Sequence, residues 1–82
     1  MLKVLYFGRL SDLAGRREEQ FNLPERITTL SQLKMWLRKN RHLGEALDER
    51  YIKTMVNQKL VHEDLTLNGD EEIGFLPPVG GG

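Results

Sequence analysis

The chain has 82 residues, of which 39% are apolar, and this length can build one core but leaves little room for a second domain or an enclosed active site. Its 12 basic and 12 acidic side chains argue against a dedicated nucleic-acid surface, and no apolar run approaches the ~20 residues of a membrane-spanning helix. The absence of cysteine excludes disulfides, thiolate nucleophiles and cysteine-based metal sites, and it fits a cytoplasmic protein, as does an apolar N-terminus without a small-residue cleavage site.

Two strands are predicted in the first part of the chain. Residues 2–7 alternate with a period of two, which is typical of a strand with both faces at least partly covered, and Gly8 ends it. Residues 19–23 form a second amphipathic strand, which Pro24 closes because proline cannot donate to a sheet ladder. We expect these two strands to form a hairpin.

A short helical turn is predicted between these strands, at residues 11–15. Ser11 is its expected N-cap, and Gly15 can take the left-handed conformation in which helices commonly end. Arg16 and Arg17 then begin the turn into the second strand.

The main helix is predicted to begin at a capping box. The hydroxyl of Thr29 can accept from the third helical amide while the side chain of Gln32 reaches back. An apolar stripe follows at helical spacing, made of Leu30, Leu33, Trp36 and Leu37. We interpret the whole stripe, Trp36 included, as core packing and not as a ligand site. The basic residues within 34–41 are interpreted as a solvated helix end that complements the helix dipole, with Lys34 outside the stripe.

Three further strands are predicted in the second half. Residues 52–56 form a strand, 57–58 a tight turn and 60–61 a short returning strand. Residues 68–70 are a strong turn signal before a final strand at 71–76.

The predicted order of elements is β-β-α-β-β-β, with no internal repeat. This order favours the α+β class, with a mixed sheet packed on one main helix, and corresponds to the β-grasp (ubiquitin-like) architecture. We therefore expect a β-grasp domain at 1–76, followed by an extended and flexible C-terminal glycine tail at 77–82.

No constellation of catalytic side chains is visible in the sequence. His42 and His62 lie in polar surroundings without a histidine partner four residues away, so we expect both to be exposed and neither to bind a metal. No nucleophile, metal-ligand set or phosphate loop is visible either. An autonomous enzyme is therefore the weakest hypothesis.

The most informative segment is the end of the chain, Pro77-Pro78-Val79-Gly80-Gly81-Gly82. The prolines stop the strand and favour an extended direction away from the sheet. The glycines remove every side chain, and at ~3.3 Å per residue the tail reaches roughly 20 Å, far enough to enter a buried site of a partner. A frayed terminus or a truncated linker is the alternative that glycine content alone would favour.

Several segments carry a resemblance that spans essentially the whole chain. They are Lys3-Val4-Leu5-Tyr6-Phe7, Val56-Asn57-Gln58-Lys59-Leu60-Val61, Asn68-Gly69-Asp70-Glu71 and Phe75-Leu76-Pro77-Pro78-Val79 with the final Gly81-Gly82. On these residues the chain resembles the small subunit of molybdopterin synthase, the MoaD family of sulfur carriers. It departs from the family at Gly80, where serine or threonine is frequent, and at Leu76, where phenylalanine is common.

The resemblance implies a carrier cycle at the carboxylate of Gly82. An ATP-dependent E1-like enzyme adenylates this carboxylate, and a sulfur donor (a sulfurtransferase) converts it to a thiocarboxylate. The large subunit of molybdopterin synthase then receives the tail, and sulfur is transferred to cyclic pyranopterin monophosphate. The resemblance thus implies no intrinsic cofactor, because ATP is used by the activating enzyme, and the acid and base groups are expected on the large subunit. A terminal glycine offers the least hindered acyl carbon for attack by sulfur.

The predicted partner surface follows from strand alternation. If the even-numbered residues of the first strand face the helix, Phe7 lies on the opposite face of the sheet, and so does Leu76 if Phe75 faces inward. Leu60 corresponds to a hydrophobic interface position in the family. We expect these three side chains to form an exposed apolar patch that binds the partner together with tail residues 77–81.

Two alternatives share the activation chemistry. A thiamine-pathway sulfur carrier has the same fold and glycine ending, but it usually lacks the Pro-Pro-Val element and tends to be shorter. A ubiquitin-like modifier, conjugated to lysines through the same terminus, shares the first activation step. A free thiocarboxylate supports a sulfur carrier, whereas an isopeptide remnant supports a modifier.

Overall fold

Five strands, two α-helices and one 3-10 helix form the described part of the computed structural model, which covers residues 1–48 and 50–77. In chain order they are β1 (Leu2–Tyr6), α1 (Arg9–Ala14), β2 (Glu18–Phe21), α2 (Leu30–Asn40), the 3-10 helix (Gly44–Leu47), β3 (Lys53–Val56), β4 (Lys59–Val61) and β5 (Glu72–Leu76). The strands pair in the order β2-β1-β5-β3-β4, with β1 and β5 parallel and the other neighbours antiparallel. The predicted mixed sheet with one main helix is confirmed, and the 3-10 helix is an element that the sequence did not predict.

The core lies between α2 and one face of the sheet. At the centre of the sheet, Val4 of β1 pairs with Ile73 of β5 and Tyr6 pairs with Phe75, and these inward side chains are at most 3% exposed. Helix α2 covers them with the predicted stripe, of which Leu30, Leu33 and Leu37 are buried. Burial of each such side chain stabilises the fold by about 1.5–3 kcal/mol. The predicted inward faces of β1 and β5 are confirmed.

Helix α1 begins earlier than the sequence predicts. Its first residue is Arg9 and its N-cap is Gly8, with no side-chain cap, so the prediction that Ser11 caps a turn at 11–15 is wrong. Ser11 lies inside the helix, where its Oγ donates to the carbonyl oxygen of Gly8 at 2.7 Å, a local bond that serine forms in place of capping. Gly15 ends the helix with a φ of 76°, as predicted.

The predicted hairpin and the tight turn are confirmed. β1 and β2 pair antiparallel, although β2 ends at Phe21 and not at Leu23. Asn57 and Gln58 have φ angles of 51° and 68°, as in the two-residue turns that match the twist of the flanking strands. The Asn57 side-chain oxygen also accepts from the backbone N of Glu72 at 2.9 Å, which ties this turn to β5.

The N-terminus of α2 has the predicted capping box and also an acceptor from a distant loop. Thr29 Oγ1 accepts from Gln32 N at 3.3 Å, and Gln32 Oε1 accepts from Thr29 N at 3.2 Å. Asp64 accepts from the hydroxyl and the backbone N of Ser31, at 2.7 and 2.9 Å. These two donors lower the pKa of Asp64. The segment between β4 and β5, which contains Asp64, is thereby hydrogen-bonded to the first turn of α2.

Two basic residues of 34–41 depart from the predicted solvated helix end. Lys34 is 9% exposed and therefore belongs to the buried side of α2, a position that the apolar methylene stem of lysine permits. The side chain of Arg41 is 20% exposed and is paired with Glu19 of β2. Trp36 packs as predicted, with its ring centroid 5.4 Å from that of Phe21. The partners of these basic residues come from other elements, which a helical pattern does not reveal.

Glu19 is the centre of a polar cluster that joins β1, β2 and the end of α2. Its carboxylate accepts from Nε and Nη2 of Arg41, both at 2.8 Å, and from the Tyr6 hydroxyl at 2.6 Å. The guanidinium of Arg41 also lies 5.0 Å from the centroid of the Trp36 ring. Burial tends to raise the pKa of Glu19, but the bonds from Arg41 and Tyr6 outweigh burial and lower this pKa. Burial, followed by the bond to Glu19, raises the pKa of Tyr6.

We expect Glu19→Gln to destabilise the protein by about 2 kcal/mol, because it removes the carboxylate that pairs with the largely buried Arg41. Folding lowers the pKa of Glu19, so its stabilisation is present above the ordinary pKa of 4.5 and is lost as the pH falls through the folded-state value. Denaturant unfolding of the unsubstituted chain and of Glu19→Gln, at neutral and at acidic pH, measures the loss of stability and its dependence on pH.

The matched control is Glu18→Gln, one residue earlier on the same strand. Glu18 is exposed and contacts Lys3 at 3.5 Å, so its substitution should change the free energy of unfolding by no more than about 0.5 kcal/mol. Equal losses in the two variants would contradict the role assigned to the Glu19 cluster.

Candidate functional site

The predicted tail begins at the end of the central strand β5. This strand lies between β1 and β3, and Phe75 is fully buried with Tyr6 and Thr54 as its cross-strand partners. Leu76 and Pro77, which we call the tail root, are half-buried. The other predicted tail residues lie outside the described residues: Pro78, Val79, Gly80, Gly81 and Gly82. The tail root therefore continues from a strand that is hydrogen-bonded on both sides.

Pro77 lies against the turn between β1 and α1. A Cβ atom at Gly8 would be 2.9 Å from Cγ of Pro77. In the same turn, the backbone N of Phe7 donates to the carbonyl oxygen of Phe75 at 3.2 Å. The turn at 7–8 is thus bonded to the end of β5 and touches the tail root.

An apolar patch covers the outer face of the sheet beside the tail root. We call it the outer-face patch, and its members are Leu5, Phe7, Met55, Leu60 and Leu76. Phe7 is 39% exposed and Leu60 is 51% exposed, whereas Leu76 is half-buried. The predicted outward orientation of Phe7 is confirmed, and Leu60 is exposed, as a member of the predicted patch should be. The role of the patch in binding a partner stays a prediction.

Met55 belongs to the patch, although it was not predicted as a member. Met55 pairs with Gly74 on one side and with Leu60 on the other, so the three residues form a row across β5, β3 and β4. A Cβ atom at Gly74 would lie 3.3 Å from both Met55 Cε and Phe7 Cε2. Glycine at this position lets both side chains lie against the sheet. The signal available in the sequence was strand alternation: if Ile52 and Val56 face inward, Met55 faces outward.

The buried Glu71 holds the turn that leads into β5. Its carboxylate accepts from the backbone N of Asn68 at 2.6 Å and of Gly69 at 2.8 Å, and Gly69 has a φ of 105°. Burial tends to raise the pKa of Glu71, but these backbone donors outweigh it and lower this pKa. Glu71 thus stabilises the approach to the strand that carries the tail.

The two histidines, His42 and His62, are exposed, as predicted. Within 1–48 and 50–77, no three histidine, aspartate or glutamate residues are grouped as they would be around a metal ion. Over the same ranges, no helix combines the length and apolar character needed to span a membrane.

A known protein family matches almost the whole chain. The ThiS family matches residues 4–82, a range that begins within β1 and includes the predicted tail. The chain belongs to the ThiS family. Membership extends over the segments on which the resemblance to MoaD sulfur carriers was based, and that resemblance is confirmed.

This ThiS-family chain is similar to a curated human protein over nearly its full length. It is 32% identical over 85 residues to the "Molybdopterin synthase sulfur carrier subunit" of Homo sapiens. The alignment covers 99% of this chain and 93% of the human protein.

Solved structures of similar chains share the fold. The putative molybdopterin converting factor, subunit 1, from Pyrococcus furiosus is 33% identical with a TM-score of 0.74, and the match covers 95% of this chain and 97% of that one. The small archaeal modifier protein 1 from Methanosarcina acetivorans is 26% identical with a TM-score of 0.77, and the match covers 99% of this chain and 95% of that one. The predicted β-grasp, ubiquitin-like fold is confirmed.

Proposed function

We propose that this chain is the sulfur carrier subunit of a molybdopterin synthase and that its working group is the carboxylate of Gly82. The observation that carries the proposal is the similarity to the human sulfur carrier subunit over 99% of this chain, together with the ThiS-family match, which runs through Gly82. The outer-face patch beside the tail root supports it, because an exposed apolar patch marks a surface that a partner covers.

The proposed chemistry proceeds in two stages at one carbon. The Gly82 carboxylate attacks the α-phosphorus of ATP on an E1-like activating enzyme, which releases pyrophosphate and leaves an acyl-adenylate. Sulfide from a sulfur donor then displaces AMP and yields the thiocarboxylate directly. If the donor is a persulfide, its terminal sulfur displaces AMP to give an acyl disulfide, and a second thiol of the donor cleaves this S–S bond, which releases the thiocarboxylate and leaves a disulfide on the donor. Adenylation is needed because a free carboxylate is a poor electrophile until its oxygen becomes a good leaving group. The chain needs no cofactor of its own for these steps, which we place in the cytoplasm.

Delivery of sulfur requires that the folded domain bind the large subunit and that the C-terminal tail reach the active site of that subunit. The outer-face patch would hold the domain against the large synthase subunit. The six residues beyond Leu76, which span roughly 20 Å at ~3.3 Å per residue when fully extended, would then enter its active site. There the thiocarboxylate would donate sulfur to cyclic pyranopterin monophosphate. Acid and base groups would come from the large subunit.

The test is reconstitution of the purified chain with an activating enzyme, ATP and a sulfur donor, followed by intact-protein mass spectrometry. The proposal requires the exchange of one carboxylate oxygen for sulfur in the presence of ATP and no exchange without it. Addition of the large subunit and the pterin should then return the chain to its carboxylate form. A loaded chain that does not react with the pterin would favour the thiamine-pathway alternative.

Conjugation to proteins is a second candidate function. The similarity to small archaeal modifier protein 1, with a TM-score of 0.77 over 99% of this chain, favours it. A protein modifier would leave an isopeptide remnant on lysines of other proteins after incubation with its activating enzyme. Detection of such remnants without a free thiocarboxylate would contradict the carrier proposal and support a protein modifier.

We expect Phe7→Ala to weaken binding to the large subunit by ~1–3 kcal/mol, because an exposed aromatic side chain in an apolar patch is a typical interface anchor. The free energy of unfolding should change little, since Phe7 lies outside the core cluster. Titration calorimetry against the large subunit and thermal melting of the isolated chain measure the two quantities.

Met35→Ala is the control for loss of an exposed apolar side chain. Met35 is 63% exposed, but it lies on α2 and not in the outer-face patch. Its substitution should leave binding unchanged. Reduced stability with unchanged binding in Phe7→Ala would contradict the interface assignment.

A further inference from the structure

Gly8 has a backbone conformation that other residues rarely adopt. It joins β1 to α1 with φ 57° and ψ −137°, a combination open to glycine but strongly unfavourable for residues that carry a Cβ atom. Its carbonyl oxygen accepts from the backbone N of Ser11 at 3.1 Å and from the Ser11 hydroxyl at 2.7 Å. The turn is therefore held in place by the first turn of α1.

The missing side chain of Gly8 leaves the space that Pro77 occupies. A Cβ atom at Gly8 would be 2.9 Å from Cγ and 3.7 Å from Cδ of Pro77, and the first of these distances is shorter than real Cβ contacts. Either the proline ring or the turn would have to move. The hydrogen bond from Phe7 N to Phe75 O, at 3.2 Å, restrains the turn against such a movement, so Pro77 is the part more free to shift.

We propose that Gly8 is a positioning residue for sulfur transfer: by carrying no side chain it lets Pro77 rest on the turn at 7–8, and this contact sets the direction in which the tail leaves the outer-face patch. The proposal rests on the proposed function and deepens it. Phe7 and Gly8 are neighbours in one turn, so the docking surface and the tail direction are fixed relative to each other. A partner that covers Phe7 would thereby receive the tail at a defined angle.

The direction of the root matters because the reacting carbon lies several residues further on. A small rotation at Pro77 is enlarged along an extended tail. Displacements of about 1 Å at a reacting centre can lower rates by ~100-fold, although a glycine tail recovers part of this loss by bending. We therefore expect an intermediate effect of about 10-fold on the transfer step and none on docking.

The test compares Gly8→Val with Gly15→Val. Gly15 also has a positive φ, 76°, but a Cβ atom there has no neighbour within 4 Å, so the control carries the milder strain of the left-handed region without a contact. Transfer is measured as the single-turnover rate of pterin sulfuration by thiocarboxylated chain at saturating large subunit, and docking as the dissociation constant. Gly8→Val should slow the transfer by about 10-fold with unchanged docking, whereas Gly15→Val should leave both unchanged. Equal transfer rates in the two variants would overturn the proposal.

A double-mutant cycle with Pro77→Ala separates the contact from the strain. Without the proline ring the side chain at position 8 has room, so Gly8→Val should add no further slowing in the Pro77→Ala background. The same 10-fold slowing in both backgrounds would overturn the proposal. If Gly8→Val does not fold, Gly8→Ala and Gly15→Ala take its place in the same comparison, with the same ordering of rates required.

Failure of the positioning role of Gly8 can be distinguished from failure of the proposed function. If the unsubstituted chain carries no sulfur to the pterin, the proposed function fails. If the unsubstituted chain transfers sulfur and the position-8 and position-15 variants do so equally, the positioning role fails alone.

Discussion

Deletion of Gly82 should abolish sulfur transfer to the pterin and leave the fold intact. The deletion makes Gly81 the terminal carboxylate, so the acyl carbon that would carry sulfur falls one residue, ~3.3 Å, short of its position in the partner site, and a chain without cysteine has no thiol to replace it. The described core extends no further along the chain than Phe75, so the free energy of unfolding should change by less than about 0.5 kcal/mol. Pterin sulfuration and thermal melting of the same preparation measure the two effects.

The deletion also discriminates between stages of the cycle. Docking to the large subunit should persist, because the outer-face patch is unchanged, and the deleted chain should therefore compete with the loaded chain. Sulfur transfer by the deletion variant at a rate comparable to that of the full chain would contradict a carrier mechanism based on Gly82.

Gly81→Val should lower the transfer rate severely, by about 100-fold or more, without unfolding the domain. An extended tail inside a narrow partner site is held by backbone hydrogen bonds, and a β-branched side chain next to the reacting carbon would prevent its close approach. Adenylation by the activating enzyme and sulfuration of the pterin are measured separately.

Gly80→Ser is the control for this substitution. Related carriers frequently have a hydroxyl residue at this position, so the variant should retain transfer within about a factor of three. Equal losses in both variants would indicate a general intolerance of side chains in the tail. Normal rates for Gly81→Val would show that the partner channel is wider than proposed.

Local patterns in the sequence predicted most of the elements. The alternation of residues 2–7 predicted β1 with the correct inward face, because the period of a strand is a property of its own backbone. The capping box of Thr29 and Gln32 predicted the start of α2, since both partners lie within one helical turn. The turn at Asn57-Gln58 was predictable for the same reason.

Features that join distant parts of the chain were not predicted. Lys34 and Arg41 were assigned to a solvated helix end, but Lys34 is buried and Arg41 is paired with Glu19, 22 positions away. Their burial depends on which elements the helix packs against. Ser11 satisfies the usual rule for an N-cap, but the turn at Gly8 starts α1 earlier.

The candidate site also has one part that local sequence predicted and one part that depends on contacts between distant residues. The tail was predicted from its own residues, because the covalent structures of proline and glycine end a strand and remove side chains whatever surrounds them. Tertiary structure alone decided what lies beside the tail root. Phe7 and Met55 meet over Gly74, and Pro77 rests on Gly8, because the parallel pairing of β1 with β5 and the antiparallel pairing of β3 with β5 bring these distant residues together. Such contacts depend on sheet order and register, which burial of the whole core selects and no single segment encodes.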